Sequence, residues 1–285
     1  MHILFPAVIL AQETRQAAKT PMTIDHASMT PESARAALTW LVDMGVDVVV
    51  LETPVDRFAA PPPQPALRPV LVASAAPKAQ AIYESPADSC NTLEDLIAAL
   101  NRFDACPLKK TATQLVFSDG NRDADIMFVG EAPGREEDLS GKPFVGKSGQ
   151  LLDLMLSHIG ISRAESDPAR SCFISNVIYW RPPGNRTPTE QECAMCLPFL
   201  RRTIEILQPK LIVTLGNIPT QRLLGRSDGI LKMRGRWFDY DAGGKTIPLL
   251  ATLHPAYLLR QPGQKRLAWR DLLALRERMS KKSQS

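Results

Sequence analysis

The stretch that decides the fold runs from 124 to 160 and has three parts: ADIMFVG (124–130), GEAPGREEDLSGKPFVGKSG (130–149) and QLLDLMLSHIG (150–160). The first part is a short apolar run ending in glycine, which is typical of a buried strand, and the last has the apolar spacing of a helix. The middle part contains five glycines, two prolines and four acidic residues. Because loops between a strand and a helix usually have about 2–6 residues, a loop of this length predicts a binding site.

Strands and helices continue to alternate beyond this loop. Three more strands are predicted at 172–178, 209–216 and 246–254, and helices at about 92–106, 147–159, 187–207, 217–224 and 265–281. This alternation predicts the α/β class: a three-layer α/β/α fold with a central, mainly parallel four-stranded sheet. The helix at 187–207 is predicted to begin with a capping box, with Thr187 as N-cap, Pro188 at N1 and Glu190 at N3.

The first 91 residues have a different composition. Apolar residues have helical spacing at 33–46, so a helical or disordered N-terminal segment is predicted over 1–56. The stretch AAPPPQPALRPV (59–70) has five prolines in twelve residues, which predicts a Pro/Ala-rich linker over 57–91. We therefore expect one folded domain at 92–281 and place no chemistry before it.

Charge and cysteine content limit the class of protein. The net charge of +4 is divided into −3 over residues 1–93 and +7 over residues 94–285. A basic domain favours a polyanionic partner, although an ordinary solvated surface has the same composition. Five cysteines, an odd number, do not predict a disulfide framework, and no apolar run reaches the roughly 18 residues of a membrane span. With no basic region in MHILFPAVILAQE (1–13), no signal peptide is predicted. We expect a cytoplasmic monomer without membrane contact.

The ends of the predicted strands carry the polar segments. In open parallel sheets, ligands bind beyond the carboxyl ends of the strands. The segments that follow the four predicted strands lie at 130–144, 176–185, 216–217 and 254–262. We expect them to line a single cleft.

Three motifs in these segments resemble the uracil-DNA glycosylase superfamily, and its type-4 members in particular. They are GEAPGREED…GKPFVGKSGQLLD (130–153), SNVIYWRPPGNRTPT (175–189) and TLHPAYLLR (252–260). Each motif alone is weak, but their order at the ends of successive strands is specific, and the resemblance covers roughly residues 92–280. It implies an enzyme that flips uracil out of DNA and hydrolyses its N-glycosidic bond, leaving an abasic site for base excision repair. No amine is evident for a lyase step, so a monofunctional glycosylase is expected.

The resemblance assigns roles to three side chains. Phe144 would stack on the flipped base, Asn176 would hydrogen-bond the edge of uracil, and His254 would donate to uracil O2 as negative charge develops there. Taken singly, the same residues are also compatible with a core phenylalanine, an asparagine at a strand end and a structural histidine.

Acidic residues in the long loop complete the predicted pocket. By resemblance, the carboxylate of Glu131 would position the water and the sugar, Glu137 would line the pocket, and the backbone around Ala132 would contact the base. Some superfamily members have an aspartate where this chain has Ala132, which leaves the general-base role of Glu131 open. Glu136 and Asp138 are expected to be solvated.

DNA contacts are predicted at the rim. Leu258, followed by Arg260, resembles an apolar wedge that fills the gap left by the flipped base. Ser148 lies at a helix start, where backbone N–H groups can bind a phosphate. Candidate phosphate contacts, each also compatible with an ordinary surface charge, are Arg181, Arg186, Arg234, Arg236, Lys265 and Arg266.

The resemblance also implies a [4Fe–4S] cluster held by four cysteines, and here the chain departs from the pattern. Two of the four positions are cysteine, Cys106 and Cys196, whereas the other two are Lys109 and Trp180. Neither lysine nor tryptophan is a plausible cluster ligand. Cys193 forms a C-x-x-C with Cys196, but inside a predicted helix. We therefore expect no metal and no cofactor.

Two alternatives to a uracil-DNA glycosylase remain open. One is a DNA-binding superfamily member with weak or no catalysis, and the other is a glycosylase of broader specificity for deaminated bases. The presence of Glu131, Phe144, Asn176 and His254 together favours an enzyme over a pure binder. The breadth of the pocket is not evident from the sequence.

Overall fold

The computed structural model describes Thr30 and residues 85–282, and its centre is a single six-stranded sheet. The strands are β1 (Ser118–Gly120), β2 (Ile126–Gly130), β3 (Phe173–Asn176), β4 (Leu211–Leu215), β5 (Trp237–Ala242) and β6 (Lys245–Thr252). Their order across the sheet is β1-β3-β2-β4-β6-β5. The four predicted strands are β2, β3, β4 and β6, and they pair in parallel at the centre.

Two antiparallel edge strands were missing from the prediction of four strands. β5 pairs with β6 through a two-residue turn at Gly243 and Gly244, both of which have positive φ, as a tight hairpin requires. β1 has only three residues and pairs with β3. The fold class is confirmed, and the sheet is wider than the apolar runs alone indicate.

Helices cover both faces of the sheet. They are α1 (Leu93–Arg102), α2 (Arg135–Ser140), α3 (Lys147–Ser157), α4 (Glu190–Leu207), α5 (Asn217–Leu224), α6 (Ile230–Met233), α7 (Pro255–Arg260) and α8 (Lys265–Lys282). Side chains of β2 alternate between two apolar cores: Met127 and Val129 pack with α1, α4 and α5, whereas Ile126 and Phe128 pack with α3 and α8. The period of two along the strand therefore gives three layers.

The helix α4 begins two residues later than predicted, with a capping box of the same kind. The N-cap is Thr189 instead of Thr187: the Thr189 hydroxyl accepts from the Glu192 backbone N–H, and the Glu192 carboxylate accepts from the Thr189 backbone N–H. The sequence TPTEQE (187–192) contains two overlapping boxes, and in the second the carboxylate of Glu192 also pairs with Arg186. The extra ion pair favours the later start.

Packing begins before residue 92. Ala87 and Cys90 are buried in the same apolar core as α1. The predicted N-terminal segment (1–56), apart from Thr30, and the linker up to residue 84 lie outside the described residues. Among residues 85–282, no helix combines the length and the apolar character that crossing a bilayer requires.

Candidate active site

A cavity of about 530 Å³ opens beyond the carboxyl ends of the parallel strands. Its lining brings together four side chains that are distant in sequence, namely Glu131, Phe144, Asn176 and His254. Ala132, Glu137, Ser148, Arg186 and Arg260 also line it. The convergence expected from the parallel sheet is therefore present in the structure.

Gly130 lies against two of the side chains that line the cavity. This residue ends β2 directly opposite Asn176, the last residue of β3. A Cβ atom at Gly130 would lie 2.4 Å from the Asn176 Oδ1 and 2.6 Å from two ring carbons of Phe144. A side chain at this position would displace both groups, so the glycine permits the amide and the ring to meet.

Phe144 lies in the wall of the cavity. Its side chain is buried, and its ring centroid lies 5.5 Å from that of His254 with the ring planes tilted by 31°. Its backbone has a φ of 55°, an uncommon conformation for a bulky residue. The ring is thus part of the apolar packing and also borders the cavity, so a place in the core does not exclude the predicted stacking role.

The imidazole of His254 has a defined tautomer. Its Nδ1 accepts a hydrogen bond of 3.1 Å from the backbone N–H of Ala256, in the first turn of α7. A neutral ring whose Nδ1 accepts must carry its proton on Nε2. Burial, assisted by the positive charge of Arg260, lowers the pKa of His254 to about 4. At neutral pH the ring is therefore an uncharged donor.

Glu131 follows β2 directly and is half-buried. Its backbone carbonyl accepts from the N–H of Ile178, which extends the pairing of β2 with β3 by one residue. Burial raises the pKa of Glu131, whereas the charge of Arg260 lowers it. Arg260 therefore lowers the pKa of both His254 and Glu131, and the pKa of Glu131 still remains above its ordinary value.

Glu137 and Asp138 hold the long loop in place. The carboxylate of Glu137 accepts from three backbone N–H groups, those of Gly134, Val145 and Gly146, at 2.9–3.0 Å. The expectation that Asp138 is solvated is wrong: it is buried, and its carboxylate accepts from the backbone N–H and the hydroxyl of Thr113 at 2.8 and 2.9 Å. Glu136 is exposed, as expected.

The candidate wedge needs a correction. Leu258 is fully buried in an apolar cluster with Leu253 and Ala268, so its side chain is not available to DNA. The next residue, Leu259, is 43% exposed. Both are apolar residues of one short helix, and the direction in which α7 packs against α3 and α8 separates them.

Several predicted phosphate contacts are already paired. Arg234 donates to the buried carboxylate of Asp271 and is a poor candidate for binding DNA. Arg186 makes two hydrogen bonds to Glu192, at 2.9 and 2.6 Å, although it also lines the cavity. Arg181 donates to the Asn185 side chain at 2.7 Å. The remaining candidates, Arg236, Lys265 and Arg266, are exposed, as is Arg260.

Comparison with known proteins identifies the family. A sequence model of the Uracil DNA glycosylase superfamily matches residues 117–273. The type-4 uracil-DNA glycosylase of Archaeoglobus fulgidus is 39% identical over 175 residues, which cover 60% of this chain and 85% of the relative. The type-4 uracil-DNA glycosylase of Thermotoga maritima is 46% identical over 157 residues, 55% of this chain and 77% of the relative. A DNA polymerase of Bacillus phage SP01 is 28% identical over 173 residues, 61% of this chain but 17% of the polymerase.

The chain belongs to the uracil-DNA glycosylase superfamily. This membership confirms the resemblance carried by the three motifs. The motifs lie at the ends of β2, β3 and β6, where the cavity is, so the superfamily assignment and the geometry concern the same residues.

The two implied cluster positions that are not cysteine, Lys109 and Trp180, make other contacts. Lys109 donates to the Asn101 carbonyl at 2.6 Å and to the Asp104 carboxylate at 2.7 Å. The indole of Trp180 is buried in the apolar core. Of the four implied ligand positions, one therefore carries a hydrogen-bonded ammonium group and another carries an aromatic ring packed in the core.

Cys106 and Cys196 are both buried, and a hydrogen bond between their thiols lowers the pKa of Cys106 to about 7. Residues 85–282 contain no group of three or more His, Cys, Asp or Glu side chains that could hold a metal ion. A [4Fe–4S] cluster with four thiolate ligands does not fit these residues.

Lys147 is a cavity residue that sequence reasoning missed. It is exposed and lines the cavity at the first position of α3, so the statement that no amine is evident in the pocket is wrong. The signal was present in GKSG (146–149), where a lysine stands at a predicted helix start facing the cleft.

We predict that His254 makes stability depend on pH. Its folded-state pKa of about 4 lies below the ordinary value of 6.5, so between these values the unfolded chain binds the proton that the folded chain excludes. The contribution of His254 is full above pH 6.5 and is lost as the pH falls towards 4, by up to about 3 kcal/mol.

Chemical denaturation of the wild type and of His254→Gln at several pH values measures this difference, and NMR titration of the ring gives the pKa itself. A ring that titrates near 6.5 would contradict the prediction.

Proposed function

We propose that this protein hydrolyses the N-glycosidic bond of uracil in DNA, releasing free uracil and leaving an abasic site for base excision repair. The observation that carries the proposal is the amide oxygen of Asn176. It is buried, finds no hydrogen-bond partner among residues 85–282, and lies at the cavity beside the ring of Phe144. A buried acceptor without a partner is costly, so it indicates a ligand that donates there.

Uracil has the complementary edge. Its N3–H donates to an amide oxygen and its O4 accepts from the amide nitrogen, so Asn176 satisfies both. Cytosine has an acceptor at N3 and a donor at N4, and would leave the buried amide unsatisfied on both sides. Leaving one such group unpaired costs about 1–3 kcal/mol, so one fixed amide provides substantial selectivity.

Phe144 supports the flipped base. Stacking of a base on an aromatic ring contributes about 1–3 kcal/mol and requires no particular base, so the ring provides affinity while Asn176 provides specificity. The energy of stacking offsets part of the cost of extracting uracil from the duplex.

His254 stabilises the leaving group. As the bond between C1′ and N1 breaks, its electron pair moves onto uracil and negative charge develops at O2. The Nε2–H of the neutral imidazole donates to this oxygen, and because the Nδ1 is held by the backbone of Ala256, the donor is oriented before the reaction.

Glu131 acts on the sugar side. An ionised carboxylate orients the attacking water and offsets the positive charge of the oxocarbenium-like sugar. The water oxygen bonds to C1′ while one of its protons is transferred away, to this carboxylate or to solvent. The charge of Arg260 favours the ionised form of Glu131, which burial alone disfavours.

The geometry of the cavity favours an enzyme over a protein that only binds DNA. Binding uracil requires the ring and the amide, but it does not require a neutral imidazole with a fixed tautomer or a carboxylate at the same cavity. These two groups serve bond cleavage, so they favour the enzyme.

We expect wild-type protein to remove uracil from an oligonucleotide, so that alkali treatment then breaks the strand at the abasic site. Asn176→Ala and His254→Ala are each expected to lower the rate by about 10²–10³-fold, because each removes a preoriented partner of the base. Asn101→Ala and His158→Ala, which change an exposed asparagine and an exposed histidine away from the cavity, are the matched controls.

Alkali-dependent cleavage that is unchanged in both cavity variants would contradict the assignment, and wild-type protein without activity would refute the enzyme. Strand cleavage without alkali would indicate a lyase step, for which Lys147 is the candidate amine.

We propose that Leu259, not Leu258, enters the DNA stack. Leu259→Ala is expected to lower kcat/KM on duplex substrate about tenfold, with a smaller effect on single-stranded substrate, since burying a leucine contributes about 1.5–3 kcal/mol. Leu258→Ala is expected to lower the free energy of unfolding by about 2–5 kcal/mol instead. The opposite pattern in the two variants would reverse the assignment.

We also propose that the protein functions without an iron–sulfur cluster. The support is the donor set, in which Lys109 and Trp180 occupy two of the four ligand positions and make other contacts. Purified protein is expected to be colourless and to lack stoichiometric iron. The double variant Lys109→Cys/Trp180→Cys, which restores four cysteines, is the positive control for reconstitution. A brown wild-type protein with stoichiometric iron would overturn the proposal.

All five cysteines are free and buried, and free cysteines are typical of proteins in a reducing compartment. We therefore propose that the protein acts on DNA in the cytoplasm. That it acts as a monomer remains a prediction, for which the molar mass in solution is the test.

A further inference from the structure

Arg163, in the connection between α3 and β3, makes four hydrogen bonds through its guanidinium and forms ion pairs with two carboxylates. Nη1 donates to the Pro143 carbonyl at 3.0 Å, and Nη2 donates to the Phe144 carbonyl at 2.9 Å. The other donors bind two carboxylates: Nη1 lies 3.1 Å from Asp119, and Nε and Nη2 lie 2.9 and 2.8 Å from Asp153. The side chain is 15% exposed, so these contacts are largely shielded from water.

The two carbonyls belong to the backbone that presents the aromatic ring. Phe144 has a φ of 55°, which a bulky residue adopts only when its surroundings hold it there. A Cβ at Gly149 would lie 1.8 Å from the Phe144 carbonyl oxygen, so α3 is in direct contact with the same peptide group. Arg163 and α3 thus both contact this carbonyl.

We propose that Arg163 is a positioning residue for the base-stacking ring. By holding the carbonyls of Pro143 and Phe144, its guanidinium fixes the orientation of the ring against which the extruded base packs. The proposal rests on the proposed function, and it adds a residue that makes no contact with the base itself.

The two aspartates fix the guanidinium in turn. Asp119 lies on the edge strand β1 and Asp153 lies on α3, so Arg163 connects the sheet edge, the helix and the long loop. A planar group with five donors can satisfy two carbonyls and two carboxylates at once, whereas an ammonium group has three donors. Lysine at this position would keep the charge and lose part of the geometry.

Single variants of Arg163, followed by a double-mutant cycle with Phe144, test the proposal. Arg163→Gln is expected to lower kcat/KM on uracil-containing DNA by about 100-fold, the cost of a small misplacement in an active site, and Arg163→Lys is expected to recover part of this loss. Arg170→Gln, a change at an exposed arginine of the same connection, is the matched control and is expected to have wild-type activity. Thermal unfolding of each variant separates misplacement from loss of fold.

The decisive measurement adds Arg163→Gln to Phe144→Leu, which keeps an apolar wall without a ring. If Arg163 acts through the ring, the second substitution changes kcat/KM by less than about 2-fold in the Phe144→Leu background, because coupled residues are not additive. Losses that multiply in a folded protein would overturn the inference. If Arg163→Gln does not fold, the Arg163→Lys cycle decides in the same way.

Wild-type protein that releases no uracil would refute the proposed function, and the inference with it. Active wild-type protein in which Arg163→Gln retains full activity would overturn only the role of Arg163.

Discussion

The absence of a side chain at Gly130 is the constraint on which the cavity depends. At this point the parallel register of β2 and β3 brings Gly130 opposite Asn176, and the ring of Phe144 fills the space that a methyl group would need. The sheet thus determines where the amide lies, and the long loop determines where the ring lies. A shift of one residue in either would separate the amide from the ring.

The electrostatics of the cavity follow from burial. A buried imidazole remains neutral and a buried carboxyl group resists ionisation, since both prefer their uncharged forms away from water. The exposed guanidinium of Arg260 lowers the pKa of both groups: it reinforces the neutrality of His254, and it offsets part of the rise that burial causes in the pKa of Glu131. The same cation therefore favours the neutral form of the imidazole and the ionised form of the carboxyl group.

Sequence reasoning succeeded where local patterns carry the information. Apolar periodicity located the four central strands, and polar residues at strand ends located the cavity. It failed where packing between distant elements decides: the buried Asp138 is satisfied by Thr113, and the packing of α7 on α3 and α8 makes Leu258 core and Leu259 surface. Arg163 was missed because its partners include backbone carbonyls about 20 residues away, which have no signature in a sequence.

The ion pair of Lys109 with Asp104 and the packed indole of Trp180 have a consequence for how the protein is made. In the proposed cluster-free form, the segment after α1 is held by side chains of the polypeptide itself. Folding then needs neither iron nor a scaffold protein that delivers a cluster. Chelators, which remove iron, and peroxide, which oxidises the iron and sulfide of a cluster, would find no cluster to destroy in this form.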